Sequence, residues 1–95
     1  MVNVVFKLTD SHGNRLYTSV EVSPSISPIN YNGSVVCGNT IKVNTKGLAS
    51  TSIDLIPNTY HVRLSGYNAN TQFNMLLPSS IEGQTVKAKD YITND

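Results

Sequence analysis

The clearest alternation of apolar and polar side chains runs over residues 59–65, where Tyr60, Val62 and Leu64 fall on one face. A period of two is that of a half-buried β-strand, because successive side chains of a strand point to opposite faces. The same alternation returns at residues 73–77. It stops at Pro78, which has no N–H to donate to a strand neighbour. These two segments are therefore predicted to be strands.

The same period predicts further strands, separated by turn residues, and no segment shows the 3.6-residue period of a helix. About seven to eight short strands with turns between them predict an all-β fold, a single antiparallel β-sandwich that forms one domain over residues 1–95. The additional strands are predicted at 2–9, 16–22, 34–37, 40–45, 48–55 and 85–92. The last of these carries three charged residues, which suit the edge of a sheet.

Turn residues divide these strands. In D-S-H-G-N at 10–14, the Asp10 carboxylate can cap the turn and Gly13 can take a positive φ, which predicts a hairpin connection. Gly38-Asn39 predicts a second hairpin between its flanking strands. A further turn is predicted at 44–47 with Gly47 in the left-handed position, and residues 79–84 are predicted to be a loop.

Residues 23–33 carry two prolines and cannot form a helix or a good central strand, so an extended connection is predicted. Its apolar side chains either cover a sheet edge or the end of the core, or belong to an assembly or ligand interface, and both alternatives stay open. The candidate contact residues are Ile26, Ile29 and Tyr31 here, with Tyr67, Asn68 and Asn70 at the far corner.

Composition and charge argue against several classes of function but do not identify one. The chain of 95 residues is 39% hydrophobic and 14% charged, with a net charge of +1 and scattered basic residues, so nucleic-acid binding is not expected. No apolar run is long enough to span a bilayer, so no membrane partner is expected. The single Cys37 excludes an internal disulfide and is expected to be a buried thiol.

No catalytic or metal-binding constellation is visible. His12 and His61 have no carboxylate positioned by spacing to orient them, so both are interpreted as ordinary surface histidines. A calcium loop needs several carboxylates in close succession, and the turn at 10–14 has one. The chain is therefore predicted to be non-enzymatic, with no cofactor and no metal.

Three motifs occur in order, D-S-H-G-N-R-L at 10–16, N-T-K-G-L-A-S at 44–50, and L-I-P-N-T-Y-H-V at 55–62 followed by S-G-Y. Together they resemble the carboxypeptidase-regulatory-like, or prealbumin-like, β-sandwich family, with its "D-x-x-G-x-P-L", "T-D-x-x-G-x-F/A-S" and "L-x-P-G-x-Y-x-V … G-Y" motifs. Arg15 and Asn58 stand where that family usually has proline and glycine. The resemblance implies an immunoglobulin-like or prealbumin-like sandwich.

The run G-L-A-S-T-S-I-D-L-I-P-N, followed by Y-H-V-R-L and F-N-M-L-L-P, is more similar to a variant found in bacteriophage tail fibres and other virion proteins. This resemblance implies a non-enzymatic structural module of a virion: a capsid-decoration, head-fibre or tail-appendage component. Its expected partners are capsid or tail subunits, or further copies of the same chain.

The alternative is a carbohydrate- or cell-surface-binding accessory domain of an extracellular bacterial protein, with a host-surface glycan as its ligand. Sugar recognition generally needs exposed aromatic platforms beside hydrogen-bonding side chains. The residues available for such a platform are Tyr17, Tyr31, Tyr67, Asn68, Asn70 and Gln72.

Overall fold

The computed structural model describes residues 1–14, 18–45, 50–66 and 69–93, with the backbone only at 66, 69 and 70. Ten strands and two short 3-10 helices lie within these ranges. The strands are β1 (Val2–Phe6), β2 (Thr18–Pro24), β3 (Ile29–Tyr31), β4 (Ser34–Val36), β5 (Ile41–Asn44), β6 (Thr51–Leu55), β7 (Thr59–Gly66), β8 (Ala69–Leu76), β9 (Thr85–Lys87) and β10 (Ile92–Thr93). The 3-10 helices are η1 (Ser79–Ile81) and η2 (Ala88–Asp90).

The described strands form three sheets. One has the order β6-β1-β9, the second has the order β10-β8-β7-β2-β5, and β3 pairs with β4 as a separate two-stranded sheet. All of these pairs are antiparallel except β1 and β9, which run parallel. The predicted all-β fold with antiparallel sheets is confirmed.

The two larger sheets share one apolar core. The buried cluster takes every second residue of β1 and β6 from one sheet, and of β2 and β7 from the other. Its members are Val2, Val4, Phe6, Val20, Val22, Ile53, Leu55, Tyr60, Val62, Leu64, Met75, Leu77, Ile81 and Ala88. Two sheets that face each other across a common core are what a sandwich requires. In β7 the buried set is Tyr60, Val62 and Leu64, so the face predicted for this strand is confirmed.

The turn at 10–14 forms as predicted but does not close a hairpin. The Asp10 carboxylate accepts hydrogen bonds from the backbone N–H groups of His12 and Asn14 at 2.8 and 2.9 Å, and Gly13 has a φ of 81°. However, β1 lies between β6 and β9, whereas β2 lies between β7 and β5. The segment therefore connects two sheets, because both edges of β1 are already occupied by other strands.

The hairpin predicted at Gly38-Asn39 is also absent. β4 pairs with β3 instead, across the Asn32-Gly33 turn, and β5 pairs with β2. Asn32 and Gly33 have φ values of 50° and 82°, and a positive φ at both central residues is the signature of a tight hairpin turn. Gly38 is not among the residues with positive φ. Of the two Gly- and Asn-containing pairs that flank β4, the pair with positive φ at both residues closes the hairpin.

The predicted strand at 85–92 is divided into β9 and β10 by η2. β9 pairs with β1 at the edge of one sheet, as its charges predicted, while β10 pairs with β8 in the other sheet. A continuous strand cannot serve both sheets, so the chain bends at buried Ala88. The predicted loop at 79–84 contains η1, whose Ile81 is buried in the core. The predicted turn beyond Thr45, with Gly47, lies outside the described residues.

Tyr60 fixes the corner at which the chain passes from β6 to β7, in the other sheet. Its hydroxyl donates a hydrogen bond to the backbone carbonyl of Ile56 at 2.6 Å, and the residue is 4% exposed. A tyrosine near the start of a strand that bonds back to the backbone a few residues upstream is a known corner device of immunoglobulin-like sandwiches. Burial raises the pKa of Tyr60 to about 12.

Leu64→Ala tests the assignment of the β7 faces. Leu64 is 6% exposed in the shared core, so its truncation is expected to lower the free energy of unfolding by about 2–4 kcal/mol. Arg63→Ala, on the exposed face of the same strand, is the matched control and is expected to change it by less than about 0.5 kcal/mol. Urea denaturation measures both values. Equal losses in the two variants would contradict the assignment.

Tyr60→Phe tests the corner. The ordinary pKa of the Tyr60 phenol, which applies to the unfolded chain, is 10.0. The stability that the raised pKa of the folded state contributes is therefore fully present below pH 10 and is lost as pH rises through about 12. We expect the variant to be about 1 kcal/mol less stable at pH 7, because the Ile56 carbonyl loses its donor. Between pH 10 and 12 the wild type should lose stability more steeply than the variant. Parallel curves of unfolding free energy against pH for the two proteins over that interval would contradict the role of Tyr60. Tyr91→Phe is the control, since it removes a different tyrosine hydroxyl and should leave the wild-type pH dependence in place.

Candidate functional site

The three candidate contact residues of the proline-bearing connection lie on or beside the β3–β4 hairpin. Ile29 and Tyr31 are half-buried on β3, while Ile26, which precedes the hairpin, is 58% exposed. Ile29 is opposite Val36 and Tyr31 is opposite Ser34, so these pairs share one face of the hairpin. Val35, on the other face, is 75% exposed.

A cavity of about 280 Å³ lies behind this hairpin, and we call it the hairpin cavity. Three parts of the chain surround it: the hairpin, the corner that leads into β7, and the start of β5. Its lining includes Met1, Pro24, Ile26, Ile29, Tyr31, Val36, Cys37, Ile41, Leu55, Ile56 and Tyr60. Ile29 and Tyr31 are half-buried over the end of the core, as the first alternative predicts, and Ile26 is exposed. The interface alternative stays a prediction.

Tyr31 links the β3–β4 hairpin to Glu82. Its hydroxyl donates a short hydrogen bond to the Glu82 carboxylate, which also accepts one from the Met1 ammonium at 2.6 Å. The ammonium bond and then the Tyr31 bond lower the pKa of Glu82, and the same carboxylate raises the pKa of Tyr31. The stabilisation from Glu82 is therefore present above its ordinary pKa and is lost as pH falls through the lowered value.

Asn58 fastens the other side of the cavity. Its side-chain N–H donates to the Ile26 carbonyl at 3.0 Å, and its side-chain oxygen accepts from the Thr59 backbone N–H at 2.7 Å. The backbone carbonyl of Asn58 accepts from the Leu77 N–H at 2.9 Å. A glycine at this position, as in the family motif, would have none of the side-chain bonds. Asn58 therefore fixes the backbone that presents the Ile26 side chain.

Gly38 allows a close approach of two connections beside the cavity. A Cβ at this position would lie 2.6 Å from the Ser27 Oγ and 2.9 Å from the Ser27 Cβ, closer than real Cβ atoms pack. The neighbouring Cys37 is exposed and lines the cavity, so the expectation of a buried thiol is wrong. The physical reason is that β4 ends at Val36, which leaves Cys37 outside any strand and outside the core.

The other candidate contact residues are not brought to this cavity by any described contact. Tyr67 and Asn68 lie outside the described residues, and Asn70 is described only by its backbone, in β8 opposite Ser65. For the alternative glycan platform, Tyr31 and Gln72 are the members with described side chains. They lie in different sheets, and each is engaged, Tyr31 by Glu82 and Gln72 by His61.

Neither histidine is in the described lining of the hairpin cavity. His12 is exposed in the first turn. His61 Nδ1 lies 3.2 Å from Asn74 Oδ1, and its Nε2 lies 3.0 Å from Gln72 Oε1, so neutral amides rather than a carboxylate orient the ring. Among the described residues, no group of three or more His, Cys, Asp or Glu is placed to hold a metal ion.

A second cavity, of about 520 Å³, lies at the opposite end of β1, and we call it the lysine cavity. Its described lining is Val5, Phe6, Lys7, Leu8, Ser50, Phe73, Lys87, Ala88, Lys89 and Ile92. The sequence interpretation of scattered basic residues missed this grouping, because positions 7 and 87 are far apart in the chain. The grouping depends on the parallel pairing of β9 with β1, which places Lys87 opposite Val5 and which the turn residues of the sequence do not indicate.

No protein-family model matches the chain, and no curated protein matches it significantly. Within the described residues, no helix has the length and apolar character that a membrane crossing requires.

Gly38→Ala tests the close approach at the hairpin cavity. The added methyl group collides with Ser27, so we expect a loss of about 1–3 kcal/mol in the free energy of unfolding. Ser27→Gly removes both of the colliding atoms, and the double variant should recover most of that loss. The double-mutant cycle, measured by thermal and urea denaturation, isolates the coupling. An equal cost of Gly38→Ala with and without the Ser27 side chain would show that the contact is not the cause.

Proposed function

We propose that this chain is a non-enzymatic structural module of a bacteriophage virion, a capsid-decoration, head-fibre or tail-appendage component that acts by docking on other protein subunits. Two lines of support are independent of each other. The three motifs and the run that ends in L-I-P-N resemble modules of virion proteins. The all-β fold presents an apolar cavity with exposed side chains at its rim.

The observation that carries the docking role is the exposure of Ile26 at the rim of the hairpin cavity. Ile26 and Met1 line the cavity and are 58% and 59% exposed, whereas the other large apolar side chains of the described lining are buried or half-buried. Covering an aliphatic side chain of this kind on a partner removes apolar area from water, which favours association. The cavity can then accept one apolar side chain from a capsid or tail subunit.

Hydrogen bonds preorganise the hairpin cavity for binding. The Asn58 bond to the Ile26 carbonyl and the bond from Tyr31 to Glu82 fix the two sides of the hairpin cavity. Fixed surfaces lose less conformational entropy on binding than mobile ones, so more of the contact energy appears as affinity. This suits a component whose task is to stay attached.

Ile26→Ser tests the docking role, with Leu76→Ser as the matched control. Leu76 is 46% exposed on β8 and does not line the hairpin cavity. The chain is co-expressed with the capsid and tail proteins encoded beside its gene, and complexes are identified by native mass spectrometry. We expect Ile26→Ser to weaken the complex at least about tenfold, while Leu76→Ser leaves it unchanged.

Both substituted residues are exposed, so both variants should keep the wild-type unfolding transition. Failure of the wild-type chain to bind any capsid or tail protein would refute the virion role. Equal weakening by both substitutions would refute the hairpin cavity as the docking site. Self-association that Ile26→Ser abolishes would identify a second copy of the chain as the occupant and would refute capsid or tail docking there.

A further inference from the structure

We propose that the lysine cavity binds a small amphipathic anion, a molecule with an unbranched apolar tail and one anionic head group. This goes beyond the docking role and does not depend on it, because the two cavities lie at opposite ends of β1. Met1 lines the hairpin cavity, whereas Val5 to Leu8 line the lysine cavity.

The lining separates into an apolar floor and a cationic rim. Val5, Leu8 and Phe73 are half-buried and supply the apolar surface that a tail can contact, whereas Phe6 and Ala88 of the same lining are buried in the core. The three lysines of the lining, Lys7, Lys87 and Lys89, are all exposed. An apolar tail and a hydrated head group can therefore both be accommodated at this site.

No ion pair between described residues neutralises the charges of the rim. The ion pairs formed within the described residues join the Met1 ammonium to Glu82 and Lys42 to Glu21, and neither involves a lysine of the rim. No acidic residue occurs in the described lining, although Asp90 follows Lys89 in the sequence. Three like charges at one rim repel each other, and an anion held between them relieves that repulsion.

The backbone explains why these lysines converge. β9 runs parallel to β1, with Lys87 opposite Val5, and the chain then bends at η2 toward the other sheet. Lys7 follows the end of β1 and Lys89 lies within η2, so both project from the place where the chain leaves one sheet. Ile92, on β10 of the second sheet, also lines the cavity and is 39% exposed.

The size and shape of the site favour a small molecule over a protein partner. Ligand cavities typically enclose 300–1,000 Å³ and combine an apolar lining with a few polar groups, and a volume of about 520 Å³ lies within that range. A protein interface usually covers about 800 Å² on each partner, over a far broader surface than this. Lysine ammonium groups act as point charges, so they fit a carboxylate or phosphate head group equally well.

The test uses sodium decanoate below its micellar concentration on the full, isotope-labelled chain, followed by NMR chemical-shift titration. Acetate is the anion without a tail, and decyltrimethylammonium is the tail with the opposite charge. We expect decanoate to shift resonances of Leu8, Phe73 and Ile92 and to bind at least about tenfold more tightly than either control, because each control lacks one of the two matching parts.

Charge variants identify the rim. Lys7→Gln, Lys87→Gln and Lys89→Gln should each weaken decanoate binding roughly 2- to 5-fold, and the triple variant at least about tenfold. Lys42→Gln removes the same charge from β5, outside the lysine cavity, and should leave the affinity within about twofold. Ile92→Asp places a carboxylate in the wall and should abolish binding, which keeps the test available if the triple variant does not fold.

Three results would overturn the proposal. The first is the absence of decanoate-induced shifts at the lysine cavity, or shifts confined to the hairpin cavity. The second is equal affinity for decanoate and decyltrimethylammonium. The third is a loss in Lys42→Gln as large as that in each single rim variant, which would show that net charge rather than a built site attracts the anion. None of these results bears on the docking of Ile26.

Discussion

Burial of alternate side chains from β1 and β7 in one shared core is the constraint on which the rest of the structure depends. Val2, Val4 and Val62 have no exposed surface, and Phe6 is 1% exposed. Each of these two strands has a neighbour on both sides. β1 lies between β6 and β9, and β7 lies between β8 and β2. Shifting either strand by one residue would turn its apolar set toward water, so its register is fixed by burial. The remaining elements are arranged around a pair of strands that cannot move independently.

Two facing sheets impose a second requirement, since the chain must pass repeatedly from one to the other. A crossing segment has no strand neighbour, so side chains replace the lost backbone hydrogen bonds. The Asp10 carboxylate does this in the first crossing. The Tyr60 hydroxyl and the Asn58 amide do it in the crossing from β6 to β7. Crossings also leave the ends of the core incompletely covered. Both cavities lie there, one beside the Tyr60 corner and one beside the η2 bend. The surfaces available for binding thus follow from the sandwich itself.

The sequence predicted the faces of the strands well, because period-two alternation is a local property that burial enforces. Val20 and Val22 in β2, and Ile53 and Leu55 in β6, are buried as the alternation predicts. Pairing was predicted less well, since it depends on which distant strand occupies an edge. The turn at 10–14 has the expected Asp10 bonds and yet joins two sheets. Of the candidate site, Ile26, Ile29 and Tyr31 are placed together at one cavity, but the exposure of Cys37 depends on where β4 ends, which composition does not reveal.

The grouping of lysines shows the same limit in terms of charge. A net charge of +1 with basic residues spread along the chain argues for a neutral surface only if neighbours in sequence are neighbours in space. The parallel pairing of β9 with β1 breaks that condition, because it brings residues some eighty positions apart to one rim. Parallel pairing needs a long connection, and turn residues carry no signal for it. The distribution of charge in a small β protein therefore depends on the topology of its sheets, and a net charge of +1 is compatible with three lysines in the lining of one cavity.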